Sequence, residues 1–173
     1  MSSMFSIEFD SERMQGALSA IAAIGRRPGP ILAAVADGMV DLVRDRFRNG
    51  EDPQGVKWDS YAPLNPLYAQ DKEGPSILIG RGGFSYGLAS SIRGGATDQE
   101  AWVGSDLKYA GVHQSGATIV PREAGQLSFM MGGRLWHLAS VKIPARPYLG
   151  FGPKERDLVV GELEAFLARA MRG

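Results

Sequence analysis

Three parts of the chain show apolar residues at helical spacing. A first helix is predicted from a cap at Asp10 or Ser11 to Gly25, and a second at residues 30–49. A third follows at residues 152–173. The apolar stripe of the first helix is Met14, Leu18, Ile21 and Ile24. That of the second is Leu32, Val35, Met39, Leu42, Val43 and Phe47, and that of the third is Val159, Leu163, Phe166 and Ala170.

Charged residues follow the other side of the second helix. Acids alternate there with Arg44, Arg46 and Arg48, while Arg26 and Arg27 lie in the short loop before the helix. Interleaved charges of both signs are typical of a solvated helix face. We therefore predict that all five arginines are solvated.

Alternating and unbroken apolar runs predict the strands. Phe5, Ile7 and Phe9 alternate with polar residues, which is typical of a short half-buried strand. Further strands are predicted at 89–95, 99–104, 117–122, 127–131 and 134–143, with a turn or short helix at 105–117. Because the helices lie outside this β region, the order predicts an α+β fold. It would have a mainly antiparallel sheet, two N-terminal helices and one C-terminal helix, in a single domain spanning residues 1–173.

Residues 51–76 form a Pro-rich aromatic loop between the helices and the strands. The loop holds four prolines and is predicted to contain at most one short helix, near residues 67–72. Its large apolar side chains, Trp58, Tyr61, Leu64 and Tyr68, are unusual for a solvated linker. We expect the loop to lie against the core or against a neighbouring chain.

Residues 127–143 read as a hairpin around Gly132 and Gly133. Glycines supply the positive φ angles of a two-residue turn, which sets Met131 opposite Arg134. It also sets Met130 opposite Leu135 and Phe129 opposite Trp136. Because the apolar residues do not alternate, both faces are partly apolar and need a cover. The hairpin is either internal to the core or an arm on a neighbour, with Met130, Met131 and Trp136 as interface candidates.

Two prolines flank Arg146 in the stretch before the last helix. Pro144 and Pro147 make this stretch rigid and extended, and they exclude a central strand. The rigid backbone aims the Arg146 guanidinium, which suits a bidentate pair with a carboxylate in the same chain or across an interface. Tyr148 follows directly and is a further contact candidate.

Composition narrows the function classes. The chain has 173 residues and no cysteine, which excludes disulfides and thiolate metal sites. No apolar run approaches a membrane span, and the N-terminus does not have the pattern of a signal peptide. The 19 basic and 19 acidic residues give a net charge of zero. A module that binds DNA tightly is therefore disfavoured, whereas self-association meets little charge repulsion.

Residues 83–87 match G-x-S-x-G, the nucleophile turn of serine hydrolases. The order Ser85, Asp106, His137 would suit a triad, as would Ser85, Asp98, His113. Glycine and serine are so abundant that composition alone produces such a match easily, and no parallel sheet is predicted to hold the turn. A serine esterase using Ser85 is the alternative function. With only His113 and His137 as histidines, we predict no metal site, and nothing indicates a cofactor.

Four segments together resemble the phage virion morphogenesis family, the phage Mu-like tail completion or neck proteins. "IPARPYLGF" before the last helix is similar to the family's I-P-A-R-P-[FY]-L-G signature. "DPQGVKW", "ILIGRGGFSYGLASSI" and "YAGVHQSGATI" resemble its other segments in the same order, over roughly residues 30–170. The segment "GRGGFSYGL" departs from the pattern through extra glycines, which predicts an enlarged turn. Phe84 and Tyr86 in this turn are interface candidates, which would make the contact if the turn faces a neighbour in a ring.

The resemblance implies a structural protein with no enzymatic activity and no catalytic residue to transfer. It implies a ring, of sixfold symmetry, at the phage head–tail junction. Partners would be further copies of the chain, head-connector or head-closure proteins, and tail tube or tail terminator proteins. DNA would pass through the ring without specific binding, and no membrane would be involved. Assembly would take place in the cytoplasm of the bacterial host, and His113 and Gln114 would be structural.

Overall fold

The computed structural model describes residues 11–74, 76–123 and 125–170. The strand predicted at residues 5–9 lies outside the described residues. The long helices are α1 (Ser11–Arg26), α2 (Gly29–Asn49) and α6 (Pro153–Ala170). Three short ones, α3 (Trp58–Tyr61), α4 (Pro66–Asp71) and α5 (Ala110–Ser115), lie between them. No helix among the described residues is long and apolar enough to cross a membrane.

In the described part of the chain, six short strands form three separate antiparallel pairs. They are β1 (Ile92–Ala96), β2 (Ala101–Ser105), β3 (Ala117–Ile119), β4 (Leu127–Met131), β5 (Arg134–Leu138) and β6 (Val141–Ile143). β1 pairs with β2, β3 with β6, and β4 with β5. The α+β class and the three long helices are thus confirmed. Within the described residues, however, the sheet consists of three two-stranded pairs.

The strand predicted at 134–143 is in fact two strands with different partners. β5 returns along β4 through the glycine turn, whereas β6 pairs with β3. The predicted strands at 89–95 and 117–122 are also shorter than expected. Ser90 and Ser91 bond back to the carbonyls of Gly87 and Leu88, which holds the chain in turns until Ile92. At the other site, Pro121 lacks the N–H that would extend β3.

Helix α2 is the central element of the core. It packs against β1, β2 and α6, and it ends at Gly50 in the left-handed conformation at φ 63°. Gly38 permits the close approach of α6, because an added Cβ would lie 2.6 Å from a methyl carbon of Leu158. The buried cluster around α2 consists of Val43, Phe47, Trp58, Ile79, Leu88, Ala89, Ile92, Ala110 and Tyr148.

The Pro-rich loop contains two short helices, so the prediction of at most one is wrong. The single turn of α3 was missed, because its four residues are too few to show helical periodicity. It buries Trp58 completely against Phe47. The second helix, α4, starts at Asn65, whose side chain accepts from the N–H groups of Leu67 and Tyr68.

The predicted apolar stripe of α1 is largely exposed. Met14, Leu18 and Ile21 are 48%, 59% and 54% exposed. Helix α1 packs on α6, and its less exposed positions are Ala17, Ala20 and Ile24. The larger residues of the stripe remain uncovered within the described residues.

Candidate functional site

The segment before α6 is built into the interior by polar contacts. The Arg146 guanidinium donates to the carbonyls of Ala62, at 2.8 Å, and Pro63, at 3.0 Å. Its backbone N–H donates to the carbonyl of His113. The predicted bidentate pair with a carboxylate is therefore wrong within the described chain. The two prolines do hold Arg146 in place, but its partners are carbonyls freed by the turn after α3.

Tyr148 lies in the core and is 1% exposed. Its ring packs on Phe47, with 5.2 Å between the ring centroids, and its hydroxyl donates to the carbonyl of Ala110. Burial raises the pKa of this phenol above its usual value. Arg146 is also buried, at 5% exposed. Of the seven interface candidates, these two are therefore buried within the single chain, Tyr148 in the core and Arg146 at the wall of a cavity.

Gln114 fixes the same segment from the side of α5. Its Oε1 accepts from the N–H groups of Tyr148, at 3.1 Å, and Leu149, at 3.0 Å. Its Nε2 donates to the carbonyl of Leu149 at 2.8 Å. Trp58 adds a bond from its indole N–H to the carbonyl of Pro147. Gln114 thus has a structural role, because its side chain holds the backbone at residues 148–149.

A buried ion pair joins α2 to α6. An Nη of Arg46 donates to the carboxylate of Glu155, and the two side chains are 2% and 3% exposed. The prediction of a solvated Arg46 is wrong, because this residue lies on the buried side of α2. Its position three residues after Val43 and one before Phe47 could have indicated this.

The enlarged glycine turn presents its aromatic side chains at the surface. Tyr86 is 72% exposed and Phe84 is 38% exposed, with the Arg48 guanidinium 5.3 Å above the Phe84 ring. The turn itself contains a short 3-10 helix, Gly83–Ser85, preceded by Gly82 at φ 84°. Both residues are accessible to a neighbour, and their contact with one stays a prediction.

The structure does not assemble the triad that the G-x-S-x-G match would need. No hydrogen bond in the described ranges joins the Ser85 hydroxyl to either histidine. His137 bonds to Ser128 in the hairpin at 2.9 Å, and His113 packs edge-on against Tyr109. The chain before Ser85 is not a strand of a parallel sheet. Among the described residues, no three acids or histidines lie together as a possible metal site.

The hairpin has the predicted register but two unlike faces. Met131 lies opposite Arg134, Met130 opposite Leu135, and Phe129 opposite Trp136, as the sequence predicts. The inner face is half-buried and consists of Leu127, Phe129, Met131, Trp136 and Leu138. On the outer face, Met130 is 65% exposed and Leu135 is 58% exposed. A cover was expected on both faces. Among the described residues, nothing covers the outer face.

Helix α4 supports the tip of the hairpin. Asp71 accepts from the backbone N–H of Gly132, and Leu67 lies against the same glycine. The Trp136 indole donates to the carbonyl of Met131 at 2.8 Å, and the Arg134 guanidinium lies 5.6 Å from the Trp136 ring centroid. These contacts order the tip while leaving Met130 and Leu135 uncovered.

One of the comparisons with known proteins identifies a family. A model described as the phage virion morphogenesis family matches residues 9–168. No curated protein and no solved structure shows significant similarity to the chain. The match covers almost the whole sequence, including the buried Arg146 segment, the glycine turn and the hairpin. The chain therefore belongs to the phage virion morphogenesis family.

Proposed function

We propose that this chain is a structural subunit of a ring at the phage head–tail junction. Membership in the virion morphogenesis family supports a structural or assembly role in the virion. The neck or tail-completion role follows the resemblance of the four sequence segments, whereas the formation of a ring rests on the surfaces of the chain. The single observation that carries it is the apolar outer face of the hairpin.

Met130 and Leu135 form a directly opposed pair on that outer face. They lie on neighbouring strands in register, so their side chains make one continuous apolar patch. Exposed apolar side chains that lie together on an ordered element are typical of interaction sites. The tip is anchored from the inner side by Asp71 of α4, so the patch is presented on a fixed support. This hairpin is the contact arm of the subunit.

A second apolar surface lies on a different element. Met14, Leu18 and Ile21 form the exposed stripe of α1. A closed ring is built from head-to-tail interfaces, in which two different patches of each subunit meet. One chain with two unlike apolar patches fits this requirement, whereas a two-fold dimer needs only one self-complementary patch. The ring has sixfold symmetry in this proposal.

The charge of the chain suits a ring through which DNA passes without being held. The net charge is zero, so long-range attraction to phosphates is weak. Partners above and below the ring are head-connector or head-closure proteins and tail tube or tail terminator proteins. The protein belongs to the neck or tail of the virion and assembles in the cytoplasm of the bacterial host.

The oligomeric state of purified protein tests the proposal. We expect light scattering and negative-stain imaging to show rings for the unmodified chain, with Leu135→Asp shifting it to monomers at an unchanged melting temperature. Val120→Asp is the matched control, because Val120 is also 58% exposed and lies outside the hairpin. The proposal is overturned if the protein stays monomeric at high concentration and joins no ring with neck or tail proteins.

A further inference from the structure

A cavity of about 380 Å³ lies between α4, the glycine turn and α5. Its wall carries three basic side chains, namely Lys72, Arg81 and Arg146, together with His113. Three tyrosines, Tyr68, Tyr86 and Tyr109, also line it, together with apolar side chains. Among the described residues, no aspartate or glutamate lines this cavity. The wall therefore combines aromatic surface with an excess of positive charge.

Two arginines are buried among the described residues, and they differ in one respect. Arg46 is 2% exposed and pairs with the carboxylate of Glu155. Arg146 is 5% exposed, and its guanidinium bonds reach only carbonyl oxygens. A buried cation is costly unless an anion compensates it. Within the described residues, the charge of Arg146 has no such anion, and it faces the cavity.

Lys72 presents a second cation of the same kind. Its Nζ donates to the carbonyls of Gly74 and Ile79, which are neutral acceptors. Burial lowers the pKa of Lys72, because desolvation disfavours the charged ammonium. Within the described residues, no salt bridge joins Lys72 to an acid. At the rim, by contrast, the highly exposed Arg81 pairs with Glu73 at 2.7 Å. The cations that have no anionic partner therefore lie inside the cavity, and they are Lys72 and Arg146.

We propose that this cavity binds a carboxylate carried by a partner protein, beside an apolar or aromatic group of the same segment. A carboxylate between Lys72 and Arg146 supplies the anion that both cations lack. The tyrosine-lined wall takes the adjoining apolar group, as in pockets where a few polar groups fix the orientation of a mostly apolar ligand. The volume has room for one or two side chains, which favours a protein segment over a DNA duplex.

This inference goes beyond ring formation and does not depend on it. The hairpin arm and the cavity use different residues, apart from their shared neighbour α4. A chain that formed no ring could still bind the carboxylate, and a ring could form with the cavity empty. The two proposals can therefore fail separately.

Titration of ¹⁵N-labelled protein with phenylacetate tests the site. We expect saturable shifts of the backbone amides of Gly80, Gly87 and Leu88, at millimolar affinity. Phenethylamine, which has the same ring but a positive charge, should leave these amides unchanged. Lys72→Met should weaken phenylacetate binding about tenfold, which corresponds to the loss of one good charged contact. Arg81→Glu, a change at an 86% exposed side chain, should weaken it about threefold without affecting folding.

Arg122→Glu is the matched control, since Arg122 is an exposed arginine outside the cavity wall. It should bind phenylacetate as the unmodified chain does. The proposal is overturned if phenylacetate causes no saturable shift, or if Arg122→Glu weakens binding as much as Arg81→Glu. Tighter binding of inorganic phosphate than of phenylacetate would also overturn it, because the site would then favour a nucleic acid backbone.

Discussion

Arg46 of α2 and Glu155 of α6 form an ion pair from which solvent is almost fully excluded. Each partner makes a second contact that fixes it. Arg46 donates to the carbonyl of Tyr148 at 3.2 Å, and Glu155 accepts from the N–H of Gly152 at 2.8 Å. The pair thus ties the central helix, the Pro-flanked segment and the start of the last helix into one unit. The surfaces proposed for assembly are presented on this frame.

Glu155→Ala should destabilise the fold strongly. The change leaves the Arg46 guanidinium buried without an anion and the N–H of Gly152 without its acceptor. We expect a loss of about 3–5 kcal/mol in the free energy of unfolding, measured by urea denaturation. The double variant Arg46→Met/Glu155→Leu should lose less than Glu155→Ala, because no isolated charge remains. Equal losses in the two variants would contradict this account of the pair.

The three long helices and the hairpin register could be predicted from local sequence, because both follow from short-range periodicity and turn chemistry. The apolar stripe of α2 and the glycines at 132 and 133 are signals of this kind. Local sequence does not predict in the same way which side of a helix is buried. Met14 and Leu18 have the spacing of core residues, yet both are exposed, whereas Ala20 of the same helix is buried.

The candidate sites were harder to predict, because they depend on contacts between distant segments. The residues beside Arg146 indicated that its guanidinium is held rigidly, but its acceptors lie more than 80 positions away, at Ala62 and Pro63. Likewise, a sequence shows that Tyr86 and Met130 are large and apolar, but it does not show whether they are covered. The cavity around Lys72 arises only once α4, α5 and the glycine turn meet.

Gln114→Ala should loosen the segment at residues 148–149. The side chain makes three hydrogen bonds to the backbone there, two as acceptor and one as donor. We expect a loss of about 2–3 kcal/mol in the free energy of unfolding, because each satisfied bond contributes about 1 kcal/mol. Gln114→Glu keeps the acceptors but places a charge beside the carbonyl of Leu149, and it should restore only part of the stability. Stability equal to the unmodified chain in Gln114→Ala would refute the role of this residue.

The glycine turn of the hairpin should accept asparagine at position 133 but reject valine. Gly133 has φ 68° and open space around its Cβ position, so the backbone angle alone limits substitution. Asparagine tolerates this angle, and Gly133→Asn should change the free energy of unfolding by less than about 0.5 kcal/mol. A β-branched side chain does not, and Gly133→Val should cost about 1–2 kcal/mol. Equal thermal stability of the two variants would show that the turn is not held in this conformation.

His113 should make the fold more sensitive to mild acid. Burial, and then the nearby Arg146, lower the pKa of this imidazole below its usual value, so the folded chain holds it neutral. The unfolded chain protonates at about pH 6.5, so stability falls as the pH drops below that value towards the folded pKa. In His113→Gln, part of this loss of stability should disappear. The free energy of unfolding, measured with urea at pH 7.5, 6.5 and 5.5, tests this. If His113→Gln loses as much stability between pH 7.5 and 5.5 as the unmodified chain, the burial of a neutral His113 is not the cause.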